Sequence, residues 1–129
     1  MRNAITTRPP QPAPHARENA LKLFFAIAEE WSLTTEQQIV LLGSPARSTF
    51  FKWKKEGGLI SGDTEERISH IVAIYKALNI LFSNAHMANE WIKSANKYFG
   101  GRSALDAMLN GKLTDIYAVR AYVDAQRGG

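Results

Sequence analysis

The sequence contains no cysteine among its 129 residues, which excludes a disulfide framework and any metal site built on thiolates. It also has no apolar run long enough to cross a membrane. The most hydrophobic stretch, residues 63–82, is interrupted by Arg67, His70, Lys76 and Asn79 well before the ~18 apolar residues that a span needs. No leader-like segment opens the chain, so we expect a cytoplasmic protein with no membrane partner.

Groupings of side chains that would support catalysis are also missing. The histidines are isolated: His70 and His86 have neither a second histidine nor a carboxylate at metal-ligand spacing, and His15 lies in an N-terminal tail. The acidic pairs Glu29-Glu30 and Glu65-Glu66 are adjacent rather than four residues apart, which is typical of solvated helix surfaces. We therefore expect no enzymatic activity, no metal and no cofactor.

Helical periodicity, by contrast, runs through most of the chain. A hydrophobic fraction of 45% with 22% charged residues is ordinary for a globular protein, and the net charge of +4 suggests an anionic partner. No segment alternates with period two, so we predict an all-α fold.

The stretch 63–82 predicts a long central helix. Its apolar positions recur at helical spacing and cover about half the circumference: Ile68, Ile71, Val72, Ile74, Tyr75, Leu78, Leu81 and Phe82. Such a wide stripe indicates packing against elements on both sides. Ser61-Gly62-Asp63 offers breakers and an N-cap candidate, and Asp63 with Glu66 has the spacing of a capping box.

Before this helix, residues 1–15 predict a flexible tail, because four of the five prolines lie between Pro9 and Pro14. A first helix is expected from Ala16. Its predicted buried stripe is Ala20, Phe24, Ile27, Ala28 and Trp31, widened by Leu21, Leu23 and Phe25.

Two short helices follow and predict a helix-turn-helix. The first is capped by Thr34 with Gln37, or by Thr35 with Gln38, and ends at Gly43. Ser44-Pro45 is an N-cap followed by proline, which predicts the start of a third helix running to about Lys54. Phe50 and Trp53 have the spacing of its buried positions.

The other side of this third helix is basic and hydroxyl-rich, as expected of a DNA-reading surface. Its candidate DNA-binding residues are Ser44, Arg47, Ser48, Thr49, Lys52, Lys54 and Lys55. A merely solvated basic face is the alternative, but the coincidence with the helix-turn-helix favours DNA binding. We expect Phe51 to pack in the core rather than lie beside Arg47, where it would meet a thymine methyl.

Three further helices are predicted after the central one. Asn84 caps the first, which ends near Tyr98 and has an apolar stripe of Met87, Ala88, Trp91, Ile92 and Ala95. After a turn at residues 99–102, Ser103 with Asp106 caps the second, whose core positions are Leu105, Met108 and Leu109. Thr114 caps the last, with a stripe of Ile116, Val119, Ala121, Tyr122 and Val123.

The segment FGGRSALDAMLNGKLTDIYAVRAYVDAQRGG, residues 99–129, closely resembles the C-terminal toxin-binding domain of the Xre/MbcA/ParS antitoxin family. The upstream words AEEWSLTTEQQIVLLG and STFFKWKK resemble the Xre-like helix-turn-helix half of that family. The likeness runs from Ala20 to Gly129 in matching order.

This resemblance implies an antitoxin with two parts. The N-terminal half is expected to bind the operator DNA of its own operon, usually as a homodimer, and the C-terminal half to neutralise a toxin of the RES-domain type. Such toxins degrade NAD or transfer its ADP-ribose group, and the C-terminal end of the antitoxin blocks their NAD site.

The same resemblance nominates a toxin-binding set: Phe99, Gly100, Gly101, Arg102, Ser103, Arg120, Asp124, Arg127, Gly128 and Gly129. Gly101 and Ser103 also have structural explanations as a turn residue and a helix cap, whereas Arg102 has none. Arg127 is expected to compete for the pyrophosphate position of NAD, because a guanidinium matches phosphate oxygens.

The expected organisation is a tail (1–15), an Xre-like helix-turn-helix region (16–62), central helices forming a dimer core (63–98) and a toxin-binding domain (99–129). Two other interpretations stay open: a helix-turn-helix repressor without a toxin partner, and an adaptor whose helix-turn-helix no longer binds DNA.

Overall fold

The structure is a computed structural model that describes residues 14–128, with side-chain surroundings from residue 19 onward. Within that range it contains seven α-helices, a 3₁₀ turn at Lys97–Phe99 and no β-strand. The helices are α1 (Pro14–Glu30), α2 (Thr35–Leu41), α3 (Arg47–Glu56), α4 (Gly62–Leu81), α5 (Ala85–Trp91), α6 (Ala104–Met108) and α7 (Leu113–Gln126). The predicted all-α fold is confirmed. None of the helices described has the length and apolar character needed to cross a membrane.

Helix α4 is the centre of the fold. It packs against α1 on one side and against α7 and α5 on the other, as its wide apolar stripe predicts. Ile68, Ile71, Ile74 and Leu78 are fully buried. One continuous core therefore joins the N-terminal and C-terminal halves of the chain.

Local capping patterns place several helix starts correctly. The Thr34 hydroxyl accepts a hydrogen bond from the Gln37 N–H, and the Gln37 side-chain oxygen accepts one from the Thr34 N–H. Asn84 caps α5, and Ser103 with Asp106 forms a capping box at α6. These caps are predictable because both partners lie within one turn of sequence.

Two predictions about helix α1 are wrong. Helix α1 begins at Pro14, so Pro14 and His15 are helical rather than part of the tail; proline suits a first helical position. Residues 1–13 of that tail lie outside the described residues. Leu23, placed on the buried stripe, is 49% exposed because α1 packs on one face only.

The predicted start of α3 at Ser44-Pro45 is also wrong. Gly43 (φ +99°) and Ser44 (φ +60°) are left-handed, and their N–H groups donate to the carbonyls of Val40 and Ile39. This is a Schellman closure of α2, which uses the Ser44 backbone to end one helix rather than begin the next. Helix α3 starts two residues beyond Pro45, with Ala46 as its N-cap.

Three boundaries differ in the C-terminal half. Ser61 caps α4 through the Thr64 N–H, so Asp63 lies in the first turn instead of forming a capping box. Helix α5 ends at Trp91 rather than near Tyr98, because Asn96 caps a new 3₁₀ turn and its N–H donates to the Arg102 carbonyl. Helix α7 begins at Leu113, one residue before the predicted cap at Thr114.

The first turns of α4 bind the helix-turn-helix to the C-terminal half. The Thr64 hydroxyl donates to the Leu42 carbonyl at 2.9 Å, at the end of α2. Arg67, only 8% exposed, donates to the Asp63 carboxylate and to the Gly111 carbonyl before α7. The turn after α2 is thereby held against the loop between α6 and α7.

Candidate functional site

Helices α2 and α3 form the predicted helix-turn-helix. The fully buried Phe50 anchors α3 to α1, with its ring edge-on to Phe25 at 5.7 Å between centroids. Trp53 is half-buried beside the same core. Because one side of α3 is fixed to α1 in this way, its opposite side faces solvent.

That solvent-facing side carries Arg47, Ser48, Lys52 and Lys55, all exposed. Three of these four residues are cationic, and together they extend along most of the ten-residue helix α3. Exposed cations and hydroxyls in this arrangement suit contacts to phosphate oxygens and to base edges in the major groove. We call Arg47, Ser48, Phe51, Lys52 and Lys55 the reader face.

Phe51 was expected in the core, and that prediction is wrong. It is 45% exposed, edge-on to Phe50 at 5.1 Å, and the Arg47 guanidinium carbon lies 5.5 Å from its ring centre. The core beside α1 is filled by Phe50 and Phe25, which leaves Phe51 outside. Phe51 therefore adds an apolar group next to the cation of Arg47.

The remaining members of the predicted DNA-binding set lie elsewhere. Ser44 is in the turn before α3, and Thr49 is half-buried. Lys54 lines a depression of about 540 Å³ with Phe25 and Gln38, on the side facing α1. Lys54 and Lys55 together line a second depression beside Trp53, so Lys55 lies at the edge of the exposed group formed by Arg47, Ser48 and Lys52.

One residue at this surface is missing from the sequence-based set. Glu36, in the first turn of α2, forms an ion pair with the Arg47 guanidinium. The two residues are eleven apart and lie on different helices, so no single-helix pattern reveals the contact. Their side chains are 73% and 59% exposed, respectively.

The turn at residues 99–102 has the conformation that its glycines predict. Gly100 is left-handed (φ 70°, ψ 25°), and Gly101 has φ +87°. Phe99 packs on Tyr122 of α7 at 5.4 Å between ring centres, beside the exposed Tyr98. Gly100 and Gly101 are exposed at the tip of the turn.

Arg102 and Ser103 have structural roles here. Ser103 is buried and caps α6. Arg102 was expected to have no such role, but its guanidinium donates to the Asp106 carbonyl at 3.2 Å, across the cap of α6. Its backbone carbonyl also accepts from Asn96.

A second cluster lies at the end of α7. Arg120 and Asp124 form an ion pair at 3.6 Å, and with Arg127, Lys76 and Ala73 they line a depression of about 470 Å³ between α4 and α7. Arg127 follows the last turn of α7 and is exposed, as is Gly128. Gly129 lies outside the described residues.

The Arg120 side chain contacts a buried histidine of α4. Its guanidinium lies 3.0 Å from His70 Nδ1, and His70 Nε2 lies 3.4 Å from the Glu66 carboxylate. His70 was predicted to have no carboxylate at metal-ligand spacing, but Glu66 precedes it by one helical turn. Among the described residues no group of three or more potential ligands lies together as a metal site.

The predicted toxin-binding set falls into two groups. Arg120, Asp124 and Arg127 face the depression next to α4, whereas Phe99 packs on Tyr122. Residues 120 and 122 are about 160° apart around a helix axis. The turn 99–102 and the α7 cluster therefore lie on opposite flanks of α7.

Comparison with known proteins agrees with this two-part architecture. Residues 13–73 match the Antitoxin Xre-like helix-turn-helix domain, and residues 77–129 match the Antitoxin Xre/MbcA/ParS C-terminal toxin-binding domain. The chain is also 59% identical over 109 residues to the uncharacterized protein y4oB of Sinorhizobium fredii, a match that covers 84% of each chain. The protein belongs to the Xre/MbcA/ParS antitoxin family and joins that family's helix-turn-helix to its toxin-binding domain.

Proposed function

We propose that this antitoxin neutralises a RES-domain toxin that consumes NAD or transfers its ADP-ribose group, by placing the end of α7 over the toxin's NAD site. The observation that carries this proposal is the exposed end of α7. There, Arg127 and Gly128 project beyond the last helical turn, next to Arg120 and Lys76.

The chemistry of this end suits a narrow anionic site. Gly128 has φ +82° and no side chain, so the backbone can approach a partner closely. The Arg127 guanidinium is planar and presents several N–H groups. It would bind a carboxylate at the mouth of the toxin's site and so close that site to the pyrophosphate of NAD. The protein itself acts without catalysis in this proposal.

The same protein is proposed to repress its own operon by binding operator DNA through the reader face of α3. Its cations Arg47, Lys52 and Lys55 are exposed and lie on one side of the helix. A cytoplasmic location in a bacterium follows from this proposal, since operator DNA and NAD are found there.

We further propose that two copies associate through the region 63–98. Most of α4 is covered by α1 and α7, which leaves the corner between α4 and α5 for such a contact. Ile80, Leu81 and Met87 at that corner are 63%, 37% and 48% exposed, respectively. An apolar corner of this kind supports a self-association surface.

Cellular NAD tests the toxin part of the proposal. The protein encoded beside this antitoxin is expressed alone and together with it, and NAD content and growth are measured. NAD should fall with the neighbour alone and recover on co-expression. If the neighbour leaves both NAD and growth unchanged, the RES-type partner is wrong and a repressor without a toxin partner becomes the better interpretation.

A further inference from the structure

A negative charge that the proposed operator binding does not require lies next to the reader face. Glu36 of α2 pairs with Arg47 at the start of α3, and the same guanidinium lies over the ring of Phe51. Arg47 is thus held by a carboxylate on one edge and by an aromatic ring on one face. Both of its neighbours are themselves exposed.

This ion pair is expected to contribute little to the stability of the fold. Both side chains are more than half exposed, and exposed ion pairs contribute ~0–1 kcal/mol. A carboxylate beside a phosphate-binding surface also repels DNA. The arrangement is better explained by what it does to Arg47 than by what it does for folding.

We propose that Glu36 is a positioning residue that directs Arg47 to a guanine in the major groove and away from the phosphates. This inference rests on the proposed operator binding. A guanidinium has five N–H groups, so an edge paired with Glu36 leaves others for the O6 and N7 acceptors of guanine. Restraining the side chain beforehand reduces the conformational entropy lost on binding.

The same charge discriminates against random DNA. To bind a phosphate, the Arg47 guanidinium must leave Glu36, whose carboxylate is then unpaired near the DNA backbone. A guanidinium that stays paired with Glu36 reads a base instead. Phe51, next to Arg47, presents an apolar surface that suits a thymine methyl. Each half-site is therefore expected to contain one guanine whose replacement matters only while Arg47 is present.

The test compares binding to operator DNA and to random duplexes. The probe is the duplex that the wild-type protein selects from a random pool, together with versions in which each guanine is replaced in turn. Glu36→Gln removes the charge and keeps the side-chain shape. Glu90→Gln is the matched control, since it makes the same change at an exposed position of α5.

For Glu36→Gln we expect tighter binding to random duplexes, with a log K versus log salt slope steeper by up to about one. The ratio of operator to random affinity should fall about 5-fold to 150-fold, the range of one bidentate base contact. Glu90→Gln should leave that ratio within about twofold, because α5 lies outside the helix-turn-helix. A residue that only supported the fold would not change the salt slope.

A double-mutant cycle shows whether Glu36 acts through Arg47. Arg47→Ala should abolish the preference for one guanine, and adding Glu36→Gln should then change the base preference no further. An unchanged affinity ratio in Glu36→Gln, or an equal fall in the Arg47→Ala background, overturns the inference while operator binding stands. A wild-type protein that selects no sequence at all overturns both.

Discussion

The guanidinium of Arg67 donates a hydrogen bond to the carbonyl oxygen of Gly111, 2.9 Å away and 44 residues later in the chain. Its Nε donates to the Asp63 carboxylate at 2.8 Å. Since Gly111 precedes the helix that carries the candidate toxin contacts, and Arg67 also lies against Gly43 in the turn after α2, this one side chain touches both halves of the antitoxin.

Arg67→Met is expected to lower the free energy of unfolding by about 2 kcal/mol. Methionine keeps the apolar volume but leaves the Gly111 carbonyl without its charged donor, while the half-exposed Asp63 is rehydrated. Urea denaturation measures the change. Lys76→Met, on an exposed position of the same helix, should stay within about 0.5 kcal/mol of wild type. Equal stabilities for the two variants would contradict a structural role for the Arg67 bonds.

Gly43→Ala should destabilise the protein by about 2–3 kcal/mol. The backbone there has φ +99°, and an added Cβ would lie 3.1 Å from Asp63 Oδ2 and 3.2 Å from Arg67 Nε. These atoms are fixed by their own hydrogen bond and cannot easily move aside. Thermal and urea unfolding give the size of the loss.

Gly101→Ala is the matched control for this substitution. Gly101 also has a positive φ, +87°, but a Cβ there would meet no atom within 4 Å. Its cost should be only the backbone strain of about 1–2 kcal/mol. If Gly43→Ala lowers the free energy of unfolding no more than Gly101→Ala does, close packing around Gly43 is unimportant for stability.

The sequence predicts those parts of this fold that depend on neighbouring residues. Caps at Thr34, Asn84 and Ser103 are confirmed because donor and acceptor are three residues apart. The Ser44-Pro45 start fails because two left-handed residues close α2 first. A local capping rule does not reveal which of two adjacent helices will use a given backbone group.

The features that the sequence did not predict depend on contacts between residues far apart in the chain. Arg67 and His70 interrupt the apolar run of α4 in the sequence, yet both are only 8% exposed in the fold. Their partners Gly111 and Arg120 lie 44 and 50 residues away. For the same reason the reader face was predicted largely from α3 alone, whereas Glu36, which belongs to α2, was missed.

The stability of this protein should depend on Tyr75 at high pH. The Tyr75 hydroxyl donates to the Glu30 carboxylate at 2.6 Å, and this hydrogen bond, together with partial burial and the charge of Glu30, raises the pKa of Tyr75 above its ordinary value of 10.0. A pKa that is higher in the folded state stabilises the fold fully below about pH 10, the unfolded value. This contribution is lost as the pH rises through the folded pKa.

Tyr75→Phe is therefore expected to cost about 1 kcal/mol at pH 7 and to weaken the decline of unfolding free energy above about pH 10. Urea denaturation at several pH values measures both effects. Tyr117→Phe, at a position 56% exposed, serves as the control and should leave the alkaline decline intact. A wild-type decline identical to that of Tyr75→Phe would contradict the role of the Glu30 contact.

Operator binding should be removable without loss of toxin neutralisation. Arg47→Ala with Lys52→Ala takes two exposed cations from the reader face, so operator affinity should fall about 10-fold to 100-fold and the salt slope should decrease by one to two. Inhibition of the partner toxin should remain, since these residues lie outside the C-terminal domain. Retention of full operator affinity would favour the adaptor interpretation.

Substitutions at the end of α7 should have the opposite effect: they should weaken toxin inhibition without changing operator affinity. Arg127→Ala, or removal of residues 127–129, takes away the exposed guanidinium proposed to enter the toxin's anionic site, so residual NAD consumption by the purified toxin should rise at least about tenfold. Operator affinity should not change. Lys112→Ala removes one exposed cation at the opposite end of α7 and should leave inhibition intact. If Arg127→Ala inhibits as well as wild type while removal of the three residues does not, the contact belongs to the glycine backbone rather than to the arginine.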